Sequence, residues 1–172
     1  MQPWTLRLRI PKWAKNASIK VNGVATHAEI VPGAYTSLKQ NWKAGDQIEL
    51  DLPMQVRLLE SHPLVEENRN QVAVHRGPLV YCLESKDLPS GVALMSSMIS
   101  TEEFFEPIAM DELPGVIGLR TRVAYRAGDA WKDELYRERD SKTLELGNTR
   151  LIPYYAWGNR GSSEMSVWLP VR

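Results

Sequence analysis

Cysteine is almost missing from this chain. Cys82 stands alone among 172 residues, so neither an internal disulfide nor a cysteine-rich metal knuckle can be assembled from it. Net charge is missing too, since 21 Lys and Arg are balanced by 21 Asp and Glu. That balance supplies no general attraction to nucleic acid or an anionic membrane. It also leaves little repulsion between copies, so self-association is allowed. No apolar run approaches the roughly 20 residues that a membrane-crossing helix needs. The first ten residues, MQPWTLRLRI, interleave arginine with apolar residues where a signal peptide would place an apolar block. The chain as given is therefore expected to carry no export signal.

Catalytic signatures are scarce as well. HExxH, P-loop, GxGxxG and GxSxG patterns do not occur, and His27, His62 and His75 lie too far apart for a local metal-ligand spacing. Cys82 sits inside the apolar run 79–83, a setting that favours a buried, inert thiol. Glu84, Glu60, Asp46 and Glu164 could in principle supply a carboxylate pair for glycoside chemistry, but nothing in the sequence brings two of them face to face. Asp46, which follows Gly45, is expected to bond neighbouring backbone in a turn.

What the chain does have is β-type alternation. Residues 4–10 place Trp4, Leu6, Leu8 and Ile10 on one face and Thr5, Arg7 and Arg9 on the other. Further strands are expected at 17–21, 24–30, 35–38, 47–52, 56–60, 104–110, 116–125, 143–146 and 165–169, with a last one at 171–172. Asn22-Gly23, Pro32-Gly33 and Pro114-Gly115 supply turns between them. Residues 92–99 do not decide between strand and helix, and Trp131 with Leu135 could form one face of a short helix. The densest apolar pattern is QVAVHRGPLVYCLE at 71–84, two buried strand segments broken at Gly77-Pro78. It is read as the seam between two β units. Short strands punctuated by Gly, Pro and Asn predict an all-β, antiparallel, jelly-roll-like sandwich, most simply two small sandwiches in tandem.

Six Trp and six Tyr against two Phe is an unusual ratio. Trp and Tyr carry a polar tip on an apolar body, which suits sandwich cores, interfaces and sugar stacking alike. Tyr154, Tyr155 and Trp157 lie within four residues, and strand alternation would place Tyr155 and Trp157 on one face. Trp157, Tyr155 and Trp131 are therefore the candidate carbohydrate-binding residues. Exposed coplanar aromatics would favour a sugar-binding module, a flat apolar patch would favour assembly, and two facing carboxylates in a cleft would favour an enzyme.

Several stretches together resemble the β-sandwich regions of glycoside hydrolase family 127, the β-L-arabinofuranosidase-like proteins. They are Leu8-Arg9-Ile10-Pro11-Lys12-Trp13-Ala14, Val21-Asn22-Gly23, Trp42-Lys43-Ala44-Gly45-Asp46, Leu52-Pro53-Met54, Arg76-Gly77-Pro78-Leu79-Val80-Tyr81 and Pro153-Tyr154-Tyr155-Ala156-Trp157-Gly158-Asn159-Arg160-Gly161. The resemblance implies a partial middle sandwich at 1–86, lacking its first strands, and a C-terminal sandwich at 87–172. An uncovered sheet edge would then invite self-association. The resemblance also implies a catalytic (α/α)6 barrel as partner, with zinc and the nucleophilic cysteine in that barrel. No stretch here matches the barrel, so no catalytic or metal residue is assigned. The expected role is accessory, bracing the barrel and supporting a homo-oligomer, with glycan binding through exposed Trp and Tyr as the alternative.

Overall fold

The structure, a computed structural model, describes residues 2–126, 135, 136, 138 and 144–172. The chain is all-β. Its strands are β1 (Trp4–Arg9), β2 (Ser18–Val21), β3 (Val24–Ala25), β4 (Tyr35–Gln40), β5 (Ile48–Asp51), β6 (Val56–Glu60), β7 (Gln71–Arg76), β8 (Leu79–Glu84), β9 (Glu106–Ala109), β10 (Ile117–Tyr125), β11 (Glu145–Pro153), β12 (Met165–Ser166) and β13 (Trp168–Pro170). Every strand ladder with a described register is antiparallel.

Contacts divide the chain into two compact units. The first is Met1–Gln55 with Arg76–Pro78, and the second is Val56–His75 with Leu79–Arg172. In the first unit β1 pairs with β4, and β3, β2 and β5 form a three-stranded sheet. The alternation read from the sequence is visible here: Ile10, Ile19, Leu38 and Trp42 form the buried cluster, and Leu6, Leu8 and Leu50 pack against it. The Trp42 indole N–H donates to the Trp4 carbonyl at 3.2 Å, and the two rings lie 5.6 Å apart.

The second unit is built on an eight-stranded sheet in the order β13-β7-β8-β11-β10-β9, with β6 added beside β7 and β12 beside β8. Strand β8 is buried on both faces. Tyr81 and Leu83 join a core with Val74, Leu119 and Leu151, while Cys82 points the other way into a second cluster with Ile152, Met110 and Ala156. Continuous apolar runs are what a central strand requires.

That burial corrects the expected boundary after residue 86. The run at 71–84 is a hairpin at the centre of the second unit's sheet, and the units divide after Gln55. Only the hairpin tip, Arg76–Pro78, belongs to the first unit. There Gly77 takes φ +57°, and a Cβ on it would sit 2.8 Å from the Met54 side chain, so the tip needs glycine for both backbone angle and space.

Other expectations shift at their ends. The strand expected at 24–30 stops at Ala25. The undecided stretch 92–99 contains a 3-10 turn, Leu94–Ser96, followed by a bridge from Met98 to Ala124. The helix expected around Trp131 lies outside the described residues, and the strand expected from 143 begins at Glu145.

Candidate functional site

The Pro153–Gly161 stretch was singled out for its aromatics, and its local geometry differs from the strand-like reading. Pro153 ends β11, and Tyr154–Ala156 form a 3-10 turn. Three residues per turn bring positions i and i+3 to the same side, so Tyr154 meets Trp157, with ring centroids 6.3 Å apart and planes 19° from parallel. Both rings are a little under half exposed. Tyr155, expected to share a face with Trp157, is exposed but makes no ring pair with it among the described residues. Trp131, the third candidate, lies outside the described residues. Tyr154, the partner that strand alternation placed on the opposite face, is the aromatic that the turn selects.

A few residues further on, Asn159-Arg160-Gly161 returns toward β8. Alternation along β8 places Glu84 on the Cys82 face, with no exposed surface. The Arg160 side chain is 5% exposed and sits between two acids. It donates from Nε to Glu84 Oε2 at 3.1 Å and from Nη1 to Asp87 Oδ1 at 3.0 Å, while Nη2 contacts both carboxylates. Ser163 Oγ donates to the other oxygen of Glu84 at 2.6 Å. Arg150 adds a second cation, donating to Asp87 at 2.7 Å and to Glu112 at 2.6 Å.

The electrostatics follow from this packing. Hydrogen bonding to Asp87 raises the Arg160 pKa above its ordinary value, burial opposes the rise, and Glu84 adds to it. Burial pushes the Cys82 thiol up to about 12, with the Glu84 charge adding to the effect. A thiol so placed stays protonated at neutral pH and offers no nucleophilic thiolate. Among the described residues no three His, Cys, Asp or Glu side chains are grouped to hold a metal.

The remaining acids are structural or exposed. Asp46 accepts the Lys43 amide at 2.8 Å and the Asn22 side-chain amide at 3.0 Å, and Asn22 in turn accepts the Gln47 amide at 2.8 Å. The Lys43 bond, then the Asn22 bond, holds the Asp46 carboxyl below its usual range. Glu60 and Glu164 are exposed at the end of β6 and ahead of β12. Sequence reasoning missed the Glu84–Arg160–Asp87 cluster, because its partners lie 73 and 76 residues apart. The available signal was an acid continuing an apolar run, with an arginine inside a Gly-Asn-Arg-Gly turn.

Comparison with known proteins places this architecture. Residues 56–170 match the glycoside hydrolase family 127 C-terminal domain. The chain belongs to glycoside hydrolase family 127. Residues 1–54 match the middle domain of the same family, described as β-L-arabinofuranosidase, and these two matches meet where the compact units divide. The chain is 32% identical over 167 residues to a non-reducing end β-L-arabinofuranosidase from Bifidobacterium longum subsp. longum, covering 94% of this chain and 25% of that protein. Among solved structures it superposes on a glycoside hydrolase at TM-score 0.90 with 40% identity, covering 99% of this chain and 28% of that one. A family 127 β-L-arabinofuranosidase from Geobacillus stearothermophilus matches at TM-score 0.87 with 35% identity, over 99% and 27%. The chain thus spans about a quarter of the length of these relatives.

Proposed function

We propose that this chain is the accessory β-region of a β-L-arabinofuranosidase-type glycoside hydrolase, bracing the helical catalytic barrel and presenting a surface for dimerisation. The observation that carries this reading is the state of the buried acids. Glu84 and Asp87 are bridged by Arg160, and their oxygens are occupied by Arg160, Arg150 and Ser163. A general acid or nucleophile needs an open face toward substrate, and these carboxylates face the interior. A buried network with every member partnered fixes one arrangement of the turns it joins, which suits a rigid support. The zero net charge leaves little electrostatic opposition to pairing of two copies.

The test uses the purified chain with an aryl β-L-arabinofuranoside and with the separately produced barrel portion of the Geobacillus relative. The expected results are no sugar release by the chain alone, a one-to-one complex with the barrel by light scattering, and a dimeric mass for the assembled protein. Sugar release by the chain alone, abolished by Glu84→Gln, would overturn the accessory reading. Failure to bind the barrel would overturn the bracing role.

A further inference from the structure

Beside the aromatic turn lies a groove of about 510 Å³ within the second unit, lined among others by Gln71, Met95, Tyr154, Met165, Ser166 and Trp168. Its volume falls in the range of roughly 300–1,000 Å³ found for small-ligand pockets. None of its lining side chains is ionisable as an acid or a base near neutral pH, which disfavours an anion, a cation or a phosphorylated ligand. Two aromatic side chains stand among the apolar residues that line it. Tyr154 is held by its near-parallel contact with Trp157, and Trp168 is fixed in β13 by pairing with Ala73. The polar groups are neutral. Gln71 offers an amide with both donors and acceptors, and the Ser166 hydroxyl donates to the Trp168 carbonyl at 2.6 Å, leaving its lone pairs to accept.

A neutral sugar has the matching chemistry: a C–H face that lies on an aromatic ring and a rim of hydroxyls that exchange hydrogen bonds with amides and hydroxyls. We propose that this groove is a binding site for a neutral saccharide, with Tyr154 and Trp168 contacting the ring and Gln71 and Ser166 its hydroxyls. The site is distinct from the supporting role above and does not depend on it. The preorganised turn matters to affinity: a ring already held by Trp157 loses less freedom when a sugar stacks on it.

The experiment is calorimetric titration of the full chain with a neutral arabinose-containing oligosaccharide and, separately, a cello-oligosaccharide. Saturable binding of at least one, with Kd on the order of 1 mM, is expected. Tyr154→Ala should weaken it by about fivefold or more while Tyr154→Phe, which keeps the ring face, holds it within about twofold. Trp4→Phe, in the other unit, should leave it unchanged, and circular dichroism of each variant verifies folding. Absence of saturable binding to either sugar at about 20 mM, well above that Kd, would overturn the proposal. So would unchanged affinity in a folded Tyr154→Ala variant.

Discussion

The two units fix their turns by opposite means. In the first, Asn22 and Asp46 tie the Asn-Gly turn to the Gly-Asp turn with exposed, short, local-geometry bonds. In the second, Arg160 ties the Asn159-Arg160-Gly161 turn to β8 and the residue stretch after it through charges taken out of water. The difference is one of consequence. An exposed side-chain hydrogen bond can be replaced by water, whereas a buried ion whose partner is removed has no such replacement. The first arrangement tolerates change, while the second enforces a single structure.

The largest expected effect is therefore Arg160→Met. It leaves Glu84 and Asp87 buried without their shared cation and should cost about 3–5 kcal/mol, read as an earlier urea transition of the second unit. Replacing Glu84 by an apolar residue of similar volume in the same variant should recover most of that loss, because the uncompensated charge goes with it while Asp87 keeps Arg150. No recovery would mean that Arg160 acts through packing alone.

In the first unit, Trp42→Phe keeps an aromatic ring but removes the bond to the Trp4 carbonyl, and about 0.5–1.5 kcal/mol should be lost in a denaturation followed by circular dichroism. Asp46→Asn should have a smaller effect that depends on pH. The folded pKa of Asp46 lies below its unfolded value near 3.8, so the stability it contributes is present above that value and lost as pH falls through the folded pKa. The variant should be less stable than the parent at pH 7 and converge with it in strong acid. A gap that stays constant down to pH 2 would contradict the assignment.

The smallest effect concerns His75 in β7. Burial, then the charge of Arg57, lowers its pKa from 6.5. The neutral form is the one that the fold accepts, so the contribution is present above pH 6.5 and declines as pH drops toward the folded pKa. His75→Gln should flatten the stability profile just below pH 6.5, and an unaltered profile would count against it.

Local patterns were legible in the sequence where a period or turn residue determined them. The alternation expected at 4–10 is realised in β1 and the strand expected at 116–125 in β10, and the structural role expected for Asp46 is the one it plays. The buried thiol expected of Cys82 is also found. The misreadings have physical causes. Residues 154–157 look strand-like by composition, but a 3-10 turn changes the period from two to three and with it the partner of Trp157. The break at Gly77-Pro78 marks a hairpin tip, and an apolar run on either side of it signals the centre of a sheet rather than a border between units. Nothing next to Glu84 in the sequence signals its burial, because the arginine that makes it possible lies 76 positions later.

The most direct test of the buried latch is hydrogen–deuterium exchange on the parent chain and Arg160→Met, compared segment by segment. The account predicts faster exchange at 79–88 and 154–166 with unchanged protection across 4–51, because the latch serves only the second unit. Unchanged exchange in the two latched segments, or an equal acceleration throughout both units, would contradict it.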